Sequence, residues 1–309
     1  MVASGVLLGL AAAAAQSASY FFSRLFVVRG RTVLALLVLG HLIMGVMSAA
    51  LLPALRPGDL PPPATYLWPL AATSLSYLLG QAALFVALRH TEASRASPLL
   101  GLKILVLAAV TVLFLHGQLT PLQWTAVVMS VAAALLLNYS GRPVPWPALS
   151  AVLIACVLYS LSDLYIIELV KAIRAPSPAR PEGLGVFQAS LVGVCLSYIA
   201  CALMVLPLLP LCGRGAVRQW PYAMPFALTW LAAMVFLYAC FASIGVIFGN
   251  IVQSTRGLVT IVIGAGLARR GQVHLEQRIS RGILLRRLAA ATLMFDAIVL
   301  FFLERLRTS

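Results

Sequence analysis

Long apolar runs, broken by short stretches bearing proline, glycine and charge, repeat along the whole chain. A bilayer core takes ~20 apolar residues per helix, and the alternation over ~10-residue segments that betrays a membrane barrel is missing. The pattern predicts an all-α polytopic membrane protein with ten transmembrane helices. They lie roughly at 2–22, 33–54, 65–88, 97–116, 120–139, 147–171, 185–211, 221–241, 247–268 and 283–303. Arg56-Pro57-Gly58-Asp59 and Pro61-Pro62-Pro63 cannot continue the second helix. The run Gly141 to Pro147 is the clearest internal boundary, giving a first five-helix unit at 1–140, a linker at 141–147 and a second unit at 148–309. Ala172–Gly185, with three prolines, reads as a surface linker.

Composition narrows the class. With 62% hydrophobic and 10% charged residues, the chain is not a soluble globular protein. Its net charge of +14 sits mostly between the apolar runs, which suits a bilayer with anionic headgroups better than nucleic acid. Lys and Arg favour the odd-numbered loops, which the positive-inside rule places in the cytoplasm, leaving both termini outside. The five cysteines lie in or beside apolar runs without CxxC spacing and read as small packing residues, not as a disulfide frame or metal site. No Lys or Arg precedes the first apolar run, so the Ser17-Ala18-Ser19 tract is read as part of a retained helix, not as a signal-peptide cleavage site.

Charge inside the apolar runs carries the functional signal. Between Arg218 and Arg269 only Arg256 is charged, and it falls well inside the ninth run. A centred arginine costs on the order of 2.5–3.5 kcal/mol on insertion scales, so it is expected to face a polar cavity or partner. Gln253, three residues earlier, shares its helix face. The alignment that superposes the Gly-Gln dipeptides at 117–118 and 271–272 also brings Lys103 onto Arg256, within one residue. A second, slightly shorter offset puts Arg24 on Lys171 and Gln16 on Asp163. Five helices is an odd number, so duplicated halves must cross the membrane in opposite senses. Two inverted five-helix repeats around a midplane site are a transporter architecture.

The stretch Ala87-Leu88-Arg89-His90-Thr91-Glu92-Ala93-Ser94-Arg95-Ala96-Ser97-Pro98-Leu99, running on through Gly117-Gln118-Leu119-Thr120, resembles the drug/metabolite transporter superfamily and its EamA-like ten-helix members. An alanine-leucine, a short polar turn, small residues and a Pro-Leu opening the fourth helix carry the likeness. Where that family usually has Gly-Glu, this chain has Gln118 and Gln272. The resemblance implies a multi-pass solute carrier of five-plus-five helices with a central cavity, expected in a bacterial inner (cell) membrane, and implies no particular substrate.

Candidate binding residues follow from polarity at depth: Arg256, Lys103, Asp163, Gln253, Gln16, Tyr159, Tyr77 and Gln81. Two cations near the midplane are costly unless they meet an anion, whether a substrate carboxylate or phosphate or the protein's own Asp163. Lys103, shallow in its run, has snorkelling as the competing reading. Asp296 reads as a third buried acid with a packing duty, and Glu168 as a partner of headgroups or Lys171. Trp68, Trp124, Trp146 and Trp220 fall near helix ends, as an interfacial belt requires. The four histidines show no HExxH or His-Asp spacing, and no P-loop, GxSxG or nucleotide fingerprint occurs, so neither a catalytic residue, a metal nor a cofactor is expected. Two functions remain: a secondary transporter of a small organic metabolite, favoured as an anion and driven by proton coupling or exchange, or a non-transporting scaffold or accessory subunit with a buried ion-pair lock. A second copy of the chain, as a homodimer, is a candidate partner.

Overall fold

In a computed structural model, residues 2–55, 60–113, 116, 118–138, 144–176, 181–213, 215–270 and 281–308 are described. Among them every regular element is helical. The helices are α1 (Val2–Val28), α2 (Val33–Leu51), α3 (Pro63–His90), α4 (Ala93–Leu99), α5 (Lys103–Leu113), α6 (Pro121–Asn138), α7 (Trp146–Arg174), α8 (Val186–Val205), α9 (Trp220–Ile244), α10 (Val246–Gln253), α11 (Arg256–Arg269) and α12 (Arg281–Thr308). Eight helical rods among the described residues are long and apolar enough to cross a bilayer, and α4 with α5, and α10 with α11, each count as one rod. The predicted fifth and tenth spans correspond to α6, which is shorter, and to α12.

Local chemistry explains the ends. Thr32 caps α2 by accepting from the Ala35 N–H at 3.1 Å. Prolines at the first positions of α3, α7 and α9 need no backbone donor there. Gly245, at φ 81°, turns the chain from α9 into α10, a conformation that side chains with a Cβ avoid. Trp146 and Trp220 open α7 and α9.

Two spans predicted as continuous are broken. The fourth passes through a 3₁₀ turn at Leu100–Leu102, just after Pro98, before resuming at Lys103. The ninth is interrupted at Ser254 and Thr255 and resumes at Arg256. The first break is hidden in the apolar run Leu100-Gly101-Leu102, whereas the second falls in the polar run Gln253-Ser254-Thr255-Arg256.

The main packing partners are α1 with α9, α3 with α7, α2 with α8, and α6 with α12. Without water to drive helices together, close approach relies on small residues. A Cβ on Gly45 of α2 would collide with Ala202 of α8. Large apolar side chains such as Leu7, Trp68, Val262 and Leu285 point outward, as lipid contact requires. Asp296, expected to be buried, is instead exposed on α12. The face of α12 that packs inward carries Ala290, Met294 and Ala297. Position 296 lies off that face, an azimuth that a single acid in an apolar run does not reveal.

Candidate functional site

The buried polar residues converge on one cavity in the middle of the bundle. Both broken rods deliver a cation to it. Lys103 is the first residue of α5 and Arg256 the first of α11, and both line the cavity. Only 4% and 3% of these residues, respectively, is exposed, so neither snorkels to an interface.

The two cations meet different partners. Lys103 Nζ donates to Asp163 Oδ2 of α7 at 2.9 Å. Asn250 of α10 donates to the same oxygen at 2.8 Å through Nδ2, while also reaching the Val246 carbonyl. This cluster is neutral and closed. Arg256 meets amides: Nη1 donates to Gln16 Oε1 of α1 at 3.2 Å and to Gln253 Oε1 at 3.1 Å. Gln253 Nε2 donates to Gln16 Oε1 at 3.0 Å, which ties the three together. Among the described residues Arg256 faces no carboxylate, and its Nε is buried without a partner. Its main-chain carbonyl accepts from Ser17 of α1 and Thr260 of α11, which pins the break in place. With Lys103, Arg256 and Asp163 as the charged lining, the cavity holds a formal charge of +1.

Much of the remaining lining of the cavity is aromatic. Tyr20, Tyr77, Tyr159, Tyr198 and Tyr238 line it together with Trp230. Tyr77 sits 5.6 Å from Tyr198 and 6.0 Å from Trp230, centroid to centroid, in edge-on and tilted arrangements that ring quadrupoles favour. The free space enclosed is only about 30 Å³. Ligand pockets usually run to several hundred Å³, so this conformation is occluded.

Of the residues predicted to bind, Arg256, Lys103, Asp163, Gln16, Tyr159 and Tyr77 line this one cavity. Gln253 and Gln81 are buried behind it, Gln253 against Arg256 and Gln81 accepting from the Tyr159 hydroxyl at 2.6 Å. The pairing within the lock is Lys103 with Asp163, not Arg256 with Asp163. Ser76 bonds back to its own helix at Ala72. Glu168 does reach Lys171, at 2.9 Å on the exposed end of α7. Gln272 lies outside the described residues. Asn250, Tyr198, Trp230 and Tyr238 were not predicted. Trp230 carried one signal, as a tryptophan placed mid-run instead of near a helix end.

Residues 3–139 match the model of the EamA-like transporter family. That stretch, a little under half of the chain, is similar to EamA-like transporters. With eight long apolar helices among its described residues, the chain is a multi-pass integral membrane protein. Twenty-eight chains of solved structures are similar to it. One, a protein known from its crystal structure, is 16% identical with all of both chains covered and a TM-score of 0.59, which shows a shared fold. No curated protein matches.

Proposed function

We propose that this EamA-like protein is a secondary transporter of a small organic anion, working by alternating access around the occluded cavity, with Arg256 as the group that meets the substrate's charge. The observation that carries the reading is the contrast between the cations. Lys103 has its carboxylate, whereas Arg256, equally buried, has only amides and an unpartnered Nε. A buried guanidinium without a counter-ion is unfavourable unless an anion joins it.

Ten helices in two inverted repeats, 1–140 and 148–309, fit the same picture. Under such a two-fold, α1 on α9 exchanges with α7 on α3, while the α2–α8 and α6–α12 pairs map onto themselves. Lys103 and Arg256, each opening the distal piece of a broken rod, exchange as well. So do Asp163 and Gln16, each bonded to the other half's cation. Proton coupling through Asp163 and exchange of one anion for another are the two energy sources compatible with this arrangement. The basic loops suit a membrane with anionic headgroups, such as the bacterial inner membrane.

A thermal-shift screen of the purified protein against charged metabolites identifies ligands by mass action. In proteoliposomes, Arg256→Gln then abolishes uptake of an identified anion while the protein stays folded. Retained transport discards the reading. The closed Lys103–Asp163–Asn250 cluster favours a second function, a non-transporting subunit held by an internal lock. In that case neutralising Lys103 and Asp163 together is tolerated better than either change alone, and Arg256→Gln changes no transport because there is none.

A further inference from the structure

The aromatic wall has its hydroxyls already engaged, and the direction of each hydrogen can be followed. His41 of α2 is fully buried behind the wall, with Nδ1 2.6 Å from the Leu37 carbonyl oxygen. A carbonyl only accepts, so Nδ1 carries the ring hydrogen, and in the neutral ring Nε2 is an acceptor. No carboxylate among the described residues pairs with this ring. Tyr77 Oη lies 3.1 Å from Nε2 and therefore donates to it. The Tyr198 ring stands edge-on to Tyr77, centroids 5.6 Å apart. Tyr198 accepts in turn from Trp230 Nε1 at 2.7 Å. From Tyr77 through His41 to Leu37 the hydrogens thus run away from the cavity and into α2.

The remaining wall behaves alike. Tyr159 Oη donates to Gln81, and Tyr238 Oη donates to Ser197 Oγ at 3.0 Å. Thr73 and Ser162 close on each other's carbonyls at 3.1 Å. Four of the five lining phenols are therefore engaged, and a ligand meets ring faces on this side. The strong donors that face it are Arg256 and, if Asp163 lets go, Lys103. A flat apolar body lies against such a wall without losing hydrogen bonds. A polyhydroxylated body would give up its water to a wall with few donors to return, an uncompensated desolvation.

We infer that the cavity selects an anion with an aromatic or similarly flat apolar body, an aryl carboxylate in chemical class, over a polyhydroxylated anion, and that His41 is the positioning residue that holds the Tyr77 hydrogen away from the cavity. This rests on Arg256 being the anion site. The test uses the full-length protein in nanodiscs and three probes: phenylacetate, gluconate and the cation phenethylamine. Phenylacetate is expected to bind at least roughly ten-fold tighter than gluconate, since each uncompensated hydroxyl costs about that much. Arg256→Gln is expected to remove both. Equal or tighter gluconate binding that depends on Arg256 overturns the selectivity while leaving the anion site standing. Binding of phenethylamine alone, or of no probe, overturns both. His41→Phe frees the Tyr77 hydrogen and is expected to narrow the phenylacetate-to-gluconate ratio; an unchanged ratio removes His41 from the account. Should that variant fail to fold, ¹⁵N NMR of the wild-type imidazoles still decides. A buried ring with hydrogen on Nδ1 alone is expected, and a ring protonated on Nε2 overturns the proposal.

Discussion

Two clusters, each at the start of a helix that follows a break, do opposite things with the same kind of charge. Lys103 opens α5 and is closed off by Asp163 and Asn250. Arg256 opens α11 and is held by Gln16 and Gln253, whose amides fix its direction but leave its charge in place. The difference reduces to one position. Where the second half contributes Asp163, the first contributes Gln16, one step from an acid in chemistry and a full charge apart. The closed cluster is a strut between α5, α7 and α10. The open one, proposed as the anion receptor, is buried to the same degree.

The largest effect comes from breaking the strut. Asp163→Ala strands Lys103 in an apolar interior and is expected to cost about 3–5 kcal/mol. Chemical unfolding in detergent measures this, and Lys103→Met added to Asp163→Leu is expected to recover most of the loss. Arg256→Gln removes charge from the receptor instead. It is expected to weaken anion binding by about 10- to 100-fold, the weight of a charge-assisted hydrogen bond, while leaving unfolding within about 1 kcal/mol of wild type.

A sharper change makes the two clusters alike. Gln16→Glu places a carboxylate beside Arg256, and is expected to lower anion binding about ten-fold while raising thermal stability, read by titration and melting of one preparation. If binding survives intact, the contrast between the clusters does not govern anion affinity. Asn250→Ala loses a single bond to Asp163 and is expected to cost about 1–2 kcal/mol. Least of all, Lys171→Ala breaks only the exposed pair with Glu168 and is expected to shift stability by less than about 1 kcal/mol.

Reading the chain alone recovers the charged part of this contrast and little of its setting. Lys103, Asp163 and Arg256 stand out because ionised groups inside long apolar runs are expensive, so their depth is informative in itself. Gln16 and Gln253 follow from helical spacing and from the offset between halves. The break before Lys103 is silent, since a 3₁₀ turn made of Leu100, Gly101 and Leu102 is as apolar as a helix. The aromatic wall is silent for a related reason. Tyr198, Trp230 and Tyr238 fit a membrane helix whether they face lipid, a neighbour or a cavity, and only the fold brings α8 and α9 against α3. Asp296 errs the other way, because depth along a helix says nothing about which side of it a residue occupies.

If the protein is the anion carrier proposed above, the unbalanced guanidinium has an electrical consequence. An empty carrier whose central chamber keeps one positive charge does work against the membrane voltage whenever that chamber changes its access, on the order of 2.3 kcal/mol per 100 mV for a full crossing. A monovalent anion seated on Arg256 cancels the charge. The loaded form then turns over without regard to voltage, and a potential across the bilayer biases only the return of the empty one.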